Sequence, residues 1–479
     1  MLSLKDKDRP VIRKLMAAGC CERCVLRFCC VGKYSSYQHS REDIRKELLA
    51  FLSDDDNGGR AHEASEEAET GDPPCKKPKL GSPELSSSEK ASAENMLEQS
   101  GVCGACLGVL QNFCDQSYAK QVSETVRKGE FQFDSLMLAV SLPAQLSVRE
   151  HSCWLHVKKE VREKSMYLDK EDVVQVKDAF KWAIQGLVGK ELGASVLTNS
   201  AFEVSIGFAH PETEKDCHFL AIECPDCFKP TKNKASVFTR MAVVKALEKI
   251  SDTNFLRHYP SPPVSLSSHC TPLETTCLHA SVFIAGRYNK FSRELPQTPW
   301  VIDGERRMEG SVEELIANPL LSAFKADGFN FCSSGREDVD VRTLGNGRPF
   351  AIELLNPHKA KFNKAEMRQL QETINTASDK IQVRDLQIVT REATSRMKEG
   401  EEEKTKTYSA LIWTQKPITS ADLEILGQIK LSKSYIKEFV HGDFGRTKPS
   451  LGGLMKTEVD ILELDVESVD VDWPPAVPE

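Results

Sequence analysis

The sequence predicts an α+β protein in two parts, an N-terminal accessory domain and a C-terminal domain around a mostly antiparallel sheet. Three observations support this. Helix-period apolar patterns and short strand-like runs stand side by side in both halves. A stretch with four prolines, "HYPSPPVSLSSHCTPLETT" from residue 258, separates them and reads as a linker over 259–277. The length of 479 residues also exceeds what one hydrophobic core normally serves.

The accessory domain, 1–53 and 97–258, opens with two helical patterns, "DRPVIRKLMAAG" and "REDIRKELLAFL", with a cysteine cluster between them. Residues 54–96 have few aliphatics, no aromatics and many Ser, Glu, Gly and Pro residues, a composition that cannot bury enough surface to offset its ordering entropy. We expect a disordered acidic insertion. Its "CKKPKL" resembles a short nuclear import signal, although short basic runs are also common as solvated patches. Order returns at 97. A helix follows the second cysteine pair, "LDKEDVVQVKDAFKWAIQGLVG" reads as one long amphipathic helix, and "FEVSIGF" with "CHFLAIEC" reads as a hairpin.

In the C-terminal domain, 278–479, the strands are "ASVFIAGRY", "RPFAIELL", "IQVRDLQIV" and "TKTYSALIW"; "SVEELIANPLLSAF" and "NKAEMRQLQETINTA" are the helices. No apolar run approaches the roughly 18 residues of a membrane span, and charge from the fifth residue onward argues against a secretory signal. The formal net charge is −8, but residues 54–94 contribute −6 and 458–479 another −8, so the remainder stands at +6. A polyanionic partner is therefore compatible with the body of the chain.

Sixteen cysteines without an export signal suggest a reducing compartment. Cys21 and Cys24, and Cys103 and Cys106, form two C-x-x-C pairs, the spacing at which two thiolates reach one tetrahedral zinc. Two such pairs flanking a looped-out segment suggest a structural zinc that clamps the ordered pieces together. The alternatives are buried free thiols, or a contribution from Cys224-Pro-Asp-Cys227.

The stretch "SSGREDVDVRTLGNGRPF", 333–350, crowds carboxylates and arginines into a glycine-bounded turn. The sequence lacks a phosphate-binding G-x-x-x-x-G-K-[ST] and a hydrolytic H-E-x-x-H, so a carboxylate held ionised beside arginine is the remaining chemical group. By itself the turn does not choose between Asp338 and Asp340, and taken alone a structural, salt-bridged turn is the favoured reading over catalysis.

Gly335-Arg336-Glu337-Asp338-Val339-Asp340-Val341 resembles the G-R-[ST]-D-x-G-V turn of TruA-type pseudouridine synthases. With "AGRYNKFSRELPQTPW", "KTKTYSALIW" and "YIKEFVHGDFGRTKP", the last third is similar to the catalytic domain of the tRNA pseudouridine synthase 10 family, archaeal and eukaryotic. The N-terminal half resembles that family's zinc-containing, THUMP-bearing accessory domain. The resemblance implies that Asp338 is the catalytic carboxylate, that Tyr408 stacks on the flipped base, and that Lys437 is the basic residue paired to the Asp. It places Ile436 and Leu464 in the pocket and Asp340 where the turn usually has Gly. It implies isomerisation of uridine in the T-loop arm of tRNA, with zinc structural and no cofactor for the chemistry. Arg287, Tyr288, Arg336, Arg342, Arg348 and Arg446 are candidate RNA contacts. A salt bridge is the equal alternative for each arginine, and packing is the favoured one for Tyr288.

One departure stands out. Only 27 positions separate Tyr408 from Tyr435, and Lys433-Ser434 replaces the family's Gly-Thr. The segment 414–434 is shorter than the resemblance leads us to expect, as in a shortened isoform. Losing a strand there leaves the catalytic domain incomplete, threatens the approach of Lys437 to Asp338, and predicts weak or absent activity. The alternative function is a non-catalytic adaptor for structured RNA, tRNA or hairpin precursors. We expect a monomer in nucleus and cytoplasm, with the mitochondrion a further compartment, and no membrane association.

Overall fold

The computed structural model describes residues 2–58, 101–163, 168–229, 236–398, 405–427 and 435–477. Most of the acidic insertion, the "CKKPKL" run and the Lys433-Ser434 junction lie outside the described residues. The chain divides into two compact units, Met1–Gly129 with Phe133–Leu278, and Glu130–Gln132 with His279–Glu479. No helix among the described residues is long and apolar enough to cross a membrane.

The first unit begins with α1 (Arg9–Ala17), where Pro10 presets the first turn and Ile12 and Leu15 face the core. Helices α2 (Glu22–Phe28) and α3 (Arg41–Gly58) precede the insertion, and α4 (Val109–Asn112) and α5 (Gln116–Lys128) follow it. Asp115 caps α5 by accepting from Tyr118 N at 2.8 Å. Strand β1 (Ser135–Ser141) buries Leu136, Leu138 and Val140 in alternation. Helices α6 (Leu146–Glu163) and α7 (Val176–Leu192) come next. Strands β2 (Ser195–Val196) and β3 (Phe202–Ala209) both run parallel to β1. Helices α8 (His218–Glu223), α9 (Arg240–Lys249) and α10 (Asp252–His258) lead to β4 (Thr271–Pro272) and β5 (Thr276–His279), which both pair with β3.

Three local expectations change. "CHFLAIEC" is not a strand but α8, entered from a 3-10 turn: Cys217, Leu220 and Cys224 recur at helical spacing and join a core with Val243 and Phe255. Residues 168–175 are not helical but turn and bend, and Arg27 engages Val174 in place of a helical partner; Arg27 O accepts from Val174 N at 3.3 Å and Arg27 Nε donates to Val174 O at 2.6 Å. The proline-rich stretch 259–277 is no bare linker. Its carbonyls at Pro260 and Val264 accept from Ser152 and Arg149, Cys270 is fully buried, and Thr271–Pro272 forms a strand.

The second unit carries β6 (Val282–Lys290), the small hairpin β7 (Val301–Ile302) and β8 (Glu305–Arg306), α11 (Val312–Phe324), β9 (Gly328–Ser333) and β10 (Arg342–Leu355). Then come α12 (Lys364–Ala377), β11 (Ile381–Val389), α13 (Arg391–Lys398), β12 (Lys406–Thr414), α14 (Ser420–Leu426), α15 (Ile436–His441), α16 (Leu451–Met455) and β13 (Val459–Val469). The sheet order is β11-β6-β10-β13-β12, with β9 also on β10. Every pairing in it is antiparallel except β10 with β13. One face packs α11 and α12 through Ile284, Leu320, Phe324, Phe350, Met367 and Ile374; the other is covered by Met397 and Trp473.

The glycines of "GNG" let β10 change partners. A Cβ on Gly347 would meet Tyr288 O at 2.8 Å and one on Gly345 would meet Glu467 O at 1.9 Å, and both have positive φ. The register against β6 shifts between Thr343 and Arg348, and Arg342 and Thr343 turn to pair with Asp465 and Val466 of β13. This bend opens a turn at 334–341 toward β12 and β13.

Strand β12 ends one side of this sheet, paired only with β13 among the described residues, and Leu411, Trp413 and Leu462 are 56%, 47% and 60% exposed beside it. An open apolar edge is a template for pairing with other chains. Leu411→Lys, which places an ammonium opposite Glu463, is expected to raise the concentration at which light scattering records a single species. An unchanged threshold would show that this edge does not drive association.

Candidate functional site

The turn between β9 and β10 is gripped from below by buried polar groups. Glu337 forms an ion pair with Arg348 Nε at 2.6 Å, with both side chains 1% exposed. It also accepts from Tyr288 OH at 2.7 Å, and burial pushes that phenol well above its ordinary pKa, so it remains the donor. Gln297 Nε2 donates to Tyr288 OH at 2.8 Å and to Gly335 O at 3.1 Å, while Arg348 Nη1 donates to Ser334 O at 2.8 Å. Lys290, wholly buried, donates to the carbonyls of Leu295, Asp338 and Val339 at 2.8, 3.0 and 2.8 Å.

Above this base the Asp338 carboxylate is exposed and meets Lys437 Nζ at 3.2 Å. Lys437 lies closer still to Asp340, at 2.7 and 2.9 Å from its two oxygens. Burial works against the Lys437 charge, but the hydrogen bonds it donates to Asp340 and Asp338 carry its pKa above the ordinary lysine value. Burial likewise opposes ionisation of Asp340, and the Lys437 contact outweighs it, so that carboxyl sits below the usual range. The threatened contact between Lys437 and Asp338 is thus present, on an α15 that begins directly after Tyr435.

Asp338 and Lys437 line a cavity of about 580 Å³, together with Arg336, Tyr408, Tyr435, Ile436 and Leu464. Tyr408 reaches it from β12, opposite Val466, and Leu464 pairs two residues along with Ala410. Burial holds the Tyr408 phenol above its ordinary pKa. Leu464 and Val341 form an apolar floor on which Ile436 packs. The structure therefore brings Asp338, Tyr408, Lys437, Ile436 and Leu464 around one space.

It does not bring all the proposed RNA-contacting residues to the surface. Arg287 is buried and donates to the carbonyls of Asn346, Gly347, Val469, Val471 and Trp473, which uses its guanidinium inside the fold. Tyr288 and Arg348 serve Glu337. Arg342 holds Asp465 in a bidentate pair at 2.9 and 2.6 Å. Arg446 is exposed and paired with Asp443 at 2.8 Å, while Arg336 is exposed at the cavity. Sequence reasoning missed Lys290, Glu337 and Gln297. A signal existed for Lys290: it shares the alternate-residue face of β6 with buried Ile284 and Tyr288.

In the first unit, Cys21, Cys24, Cys103 and Cys106 are all buried and their sulfurs lie within 4.8 Å of one another. Cys21 Sγ and Cys106 Sγ are 3.8 Å apart, close to the sulfur separation that bonds of about 2.3 Å to one tetrahedral ion require. The four thiols could hold a metal ion. Cys224 and Cys227 are not part of the group; Cys224 Sγ faces Ala246 O at 3.8 Å.

Together Asp338, Lys437 and Tyr408 place a carboxylate–lysine pair at an aromatic-walled cavity. The chain matches the family model described as "Eukaryotic Pus10, N-terminal" over residues 103–277 and "Pus10, C-terminal" over 283–434 and 430–470. It is 51% identical to the tRNA pseudouridine synthase Pus10 of Mus musculus over 532 residues and 49% identical to that of Homo sapiens over 534, in each case covering 100% of both chains. The putative tRNA pseudouridine synthase Pus10 of Drosophila melanogaster is 27% identical over 524 residues, covering 98% of each. The chain belongs to the Pus10 family.

Two predictions follow from this geometry. Replacing Arg348 by Met strands the buried Glu337 charge, and should cost about 3–5 kcal/mol in denaturant unfolding; adding Glu337→Gln should recover part of that. A loss below about 1 kcal/mol would mean the pair is hydrated rather than sealed. Purified protein should also carry about one equivalent of metal, and Cys103→Ser or chelation should lower the melting temperature by roughly 10 °C or more. Unchanged melting after chelation would leave the four cysteines as plain core thiols.

Proposed function

We propose that this chain is a pseudouridine synthase that isomerises uridine in the T-loop arm of tRNA, with Asp338 as the reacting carboxylate. The observation that carries the reading is the meeting of Asp338, Lys437 and Tyr408 at one cavity, in a chain whose full-length relatives are named tRNA pseudouridine synthase. In the reaction, the bond from ribose C1′ to uracil N1 breaks, the base turns, and a bond from C1′ to C5 forms. The hydrogen lost from C5 is balanced by one gained at N1.

A base in folded RNA must leave its stack before this can happen. The exposed ring of Tyr408 offsets part of that loss, at about 1–3 kcal/mol for a stacked base. Asp338 acts as nucleophile or base, with the Lys437 ammonium beside it as counter-charge. Tyr408 enters as a neutral phenol, so it takes a proton from the base only by passing its own on. Arg336 and Arg446 are exposed where phosphates can reach them. The isomerisation is redox-neutral and needs no cofactor. The four cysteines hold a structural zinc in a THUMP-like accessory domain. One chain carries every group named, so the acting unit is a single chain.

One observation favours a second reading. Alignment over 532 residues against a 479-residue chain leaves at least 53 positions with no counterpart here, and the C-terminal model matches in two pieces that meet at 430–434. With β12 left as an exposed edge, we infer weak or no synthase activity, and a role as a structured-RNA adaptor for tRNA or hairpin precursors becomes the alternative.

Pseudouridine mapped in tRNA transcripts decides between them. The expected result is strong product from a chain with the longer segment restored, weak product from this chain, and none from Asp338→Asn, whose tRNA affinity is retained. Robust product from this chain would overturn the inferred weakness, and product from Asp338→Asn would overturn the role of the aspartate. Salt-sensitive binding without product from either chain would favour the adaptor.

A further inference from the structure

We propose that Lys290 is a positioning residue for Asp338: its buried ammonium gathers the carbonyls of Leu295, Asp338 and Val339 and so sets the direction in which the Asp338 carboxylate is presented. The proposal rests on the reading of Asp338 given above. Lys290 is the last residue of β6 and is 0% exposed. Its three acceptors, at 2.8, 3.0 and 2.8 Å, are all backbone carbonyls. Two of them are consecutive. Drawing the oxygens of Asp338 and Val339 onto one ammonium fixes the peptide planes that follow Asp338, and with them the direction of its Cα–Cβ bond. Glu337 is fixed independently by Arg348 and Tyr288. Asp338 is therefore held on both sides while its own side chain stays exposed.

The choice of lysine is unusual for a wholly buried donor with no carboxylate in hydrogen-bond contact. A charged donor strengthens each carbonyl contact, and a buried ammonium satisfied only by dipoles gives up its proton more easily than an exposed one. Burial lowers the Lys290 pKa to about 8, against the opposing pull of Glu337, Asp340 and Asp338 and with the help of Arg348. Below pH 8 the three bonds are charge-assisted. Above it the amine keeps two hydrogens for three acceptors, and the turn loosens.

The groups facing Lys290 are the carboxylates of Glu337, Asp338 and Asp340 and the guanidinium of Arg348, none of which ordinarily titrates between pH 7 and 9. A test that needs no turnover is to follow the backbone amides of Val339, Asp340 and Val341 in the full chain by NMR from pH 6.5 to 9.5. The wild type should show a common titration with a midpoint near 8, absent in Lys290→Met and moved above the range in Lys290→Arg. Single-turnover pseudouridine formation should fall roughly 10- to 100-fold in Lys290→Met, the scale of a displacement of about 1 Å, with tRNA affinity within about twofold. Lys290→Arg should recover most of the rate and keep it at pH 9. Amides that stay flat through pH 8 in the wild type would overturn the proposal even if Lys290→Met fails to fold, as would a folded Lys290→Met with wild-type rate. Flat amides with product lost in Asp338→Asn would overturn this proposal alone. Product surviving Asp338→Asn would overturn the reading of Asp338 and this proposal with it.

Discussion

The ion pair of Arg348 with Glu337, closed off from water beneath the 334–341 turn, is the constraint on which the site depends. A turn that carries an exposed carboxylate has little apolar surface with which to order itself. Here the ordering comes from the residue before Asp338, whose side chain points inward and finds both a guanidinium and a phenol. Burying such a pair is favourable only when the remaining donors and acceptors are also met. Tyr288 OH and Gln297 Nε2 donate to Glu337 and the Ser334 carbonyl accepts from Arg348 Nη1, while Arg348 Nε contributes an ion pair without an aligned hydrogen bond. The arrangement costs β6 and β10 part of their apolar face and returns a turn with defined geometry.

The opposite wall of the cavity is held differently. Tyr408 stands on an edge strand, and Lys437 on a helix of six residues supported by Ile436 against Leu464 and Val341 and by Val440 against Leu451 and Met455. The aspartate side is fixed by buried charge, the tyrosine and lysine side by apolar packing. The Lys437 contact bridges the two walls, and it is shared: Asp340 takes the shorter bonds and leaves Asp338 the longer one. An ammonium anchored mainly by Asp340 leaves the Asp338 carboxylate the less engaged of the two.

Much of this was legible in the sequence, because the motif register in "GREDVDV" and "YIKEF" selects Asp338 and Lys437 among many similar residues. The two C-x-x-C pairs likewise picked out four cysteines that do converge. What could not be read were decisions made by tertiary contacts. "CHFLAIEC" has too few residues for its helical spacing to outweigh a strand reading, and the non-helical run before α7 is held by Arg27, some 147 positions away from Val174. The arginines show the limit most clearly. Arg287, Arg342 and Arg348 are chemically fit for phosphate, yet each is consumed by carbonyls or carboxylates that only the fold brings near.

That consumption bears on how RNA would be held. Among the charged side chains lining the cavity, Arg336, Arg348, Lys406 and Lys437 stand against Glu337, Asp338, Glu438 and Asp443, so the lining is close to neutral. A neutral mouth does not draw in a polyanion at long range, and a phosphate approaching it meets carboxylates as well as cations. Affinity for RNA must then come from the rest of the basic body, while the cavity discriminates by shape and stacking. This division suits chemistry on a base: strong phosphate binding inside the cavity would hold the backbone there and leave no room for the ring to turn.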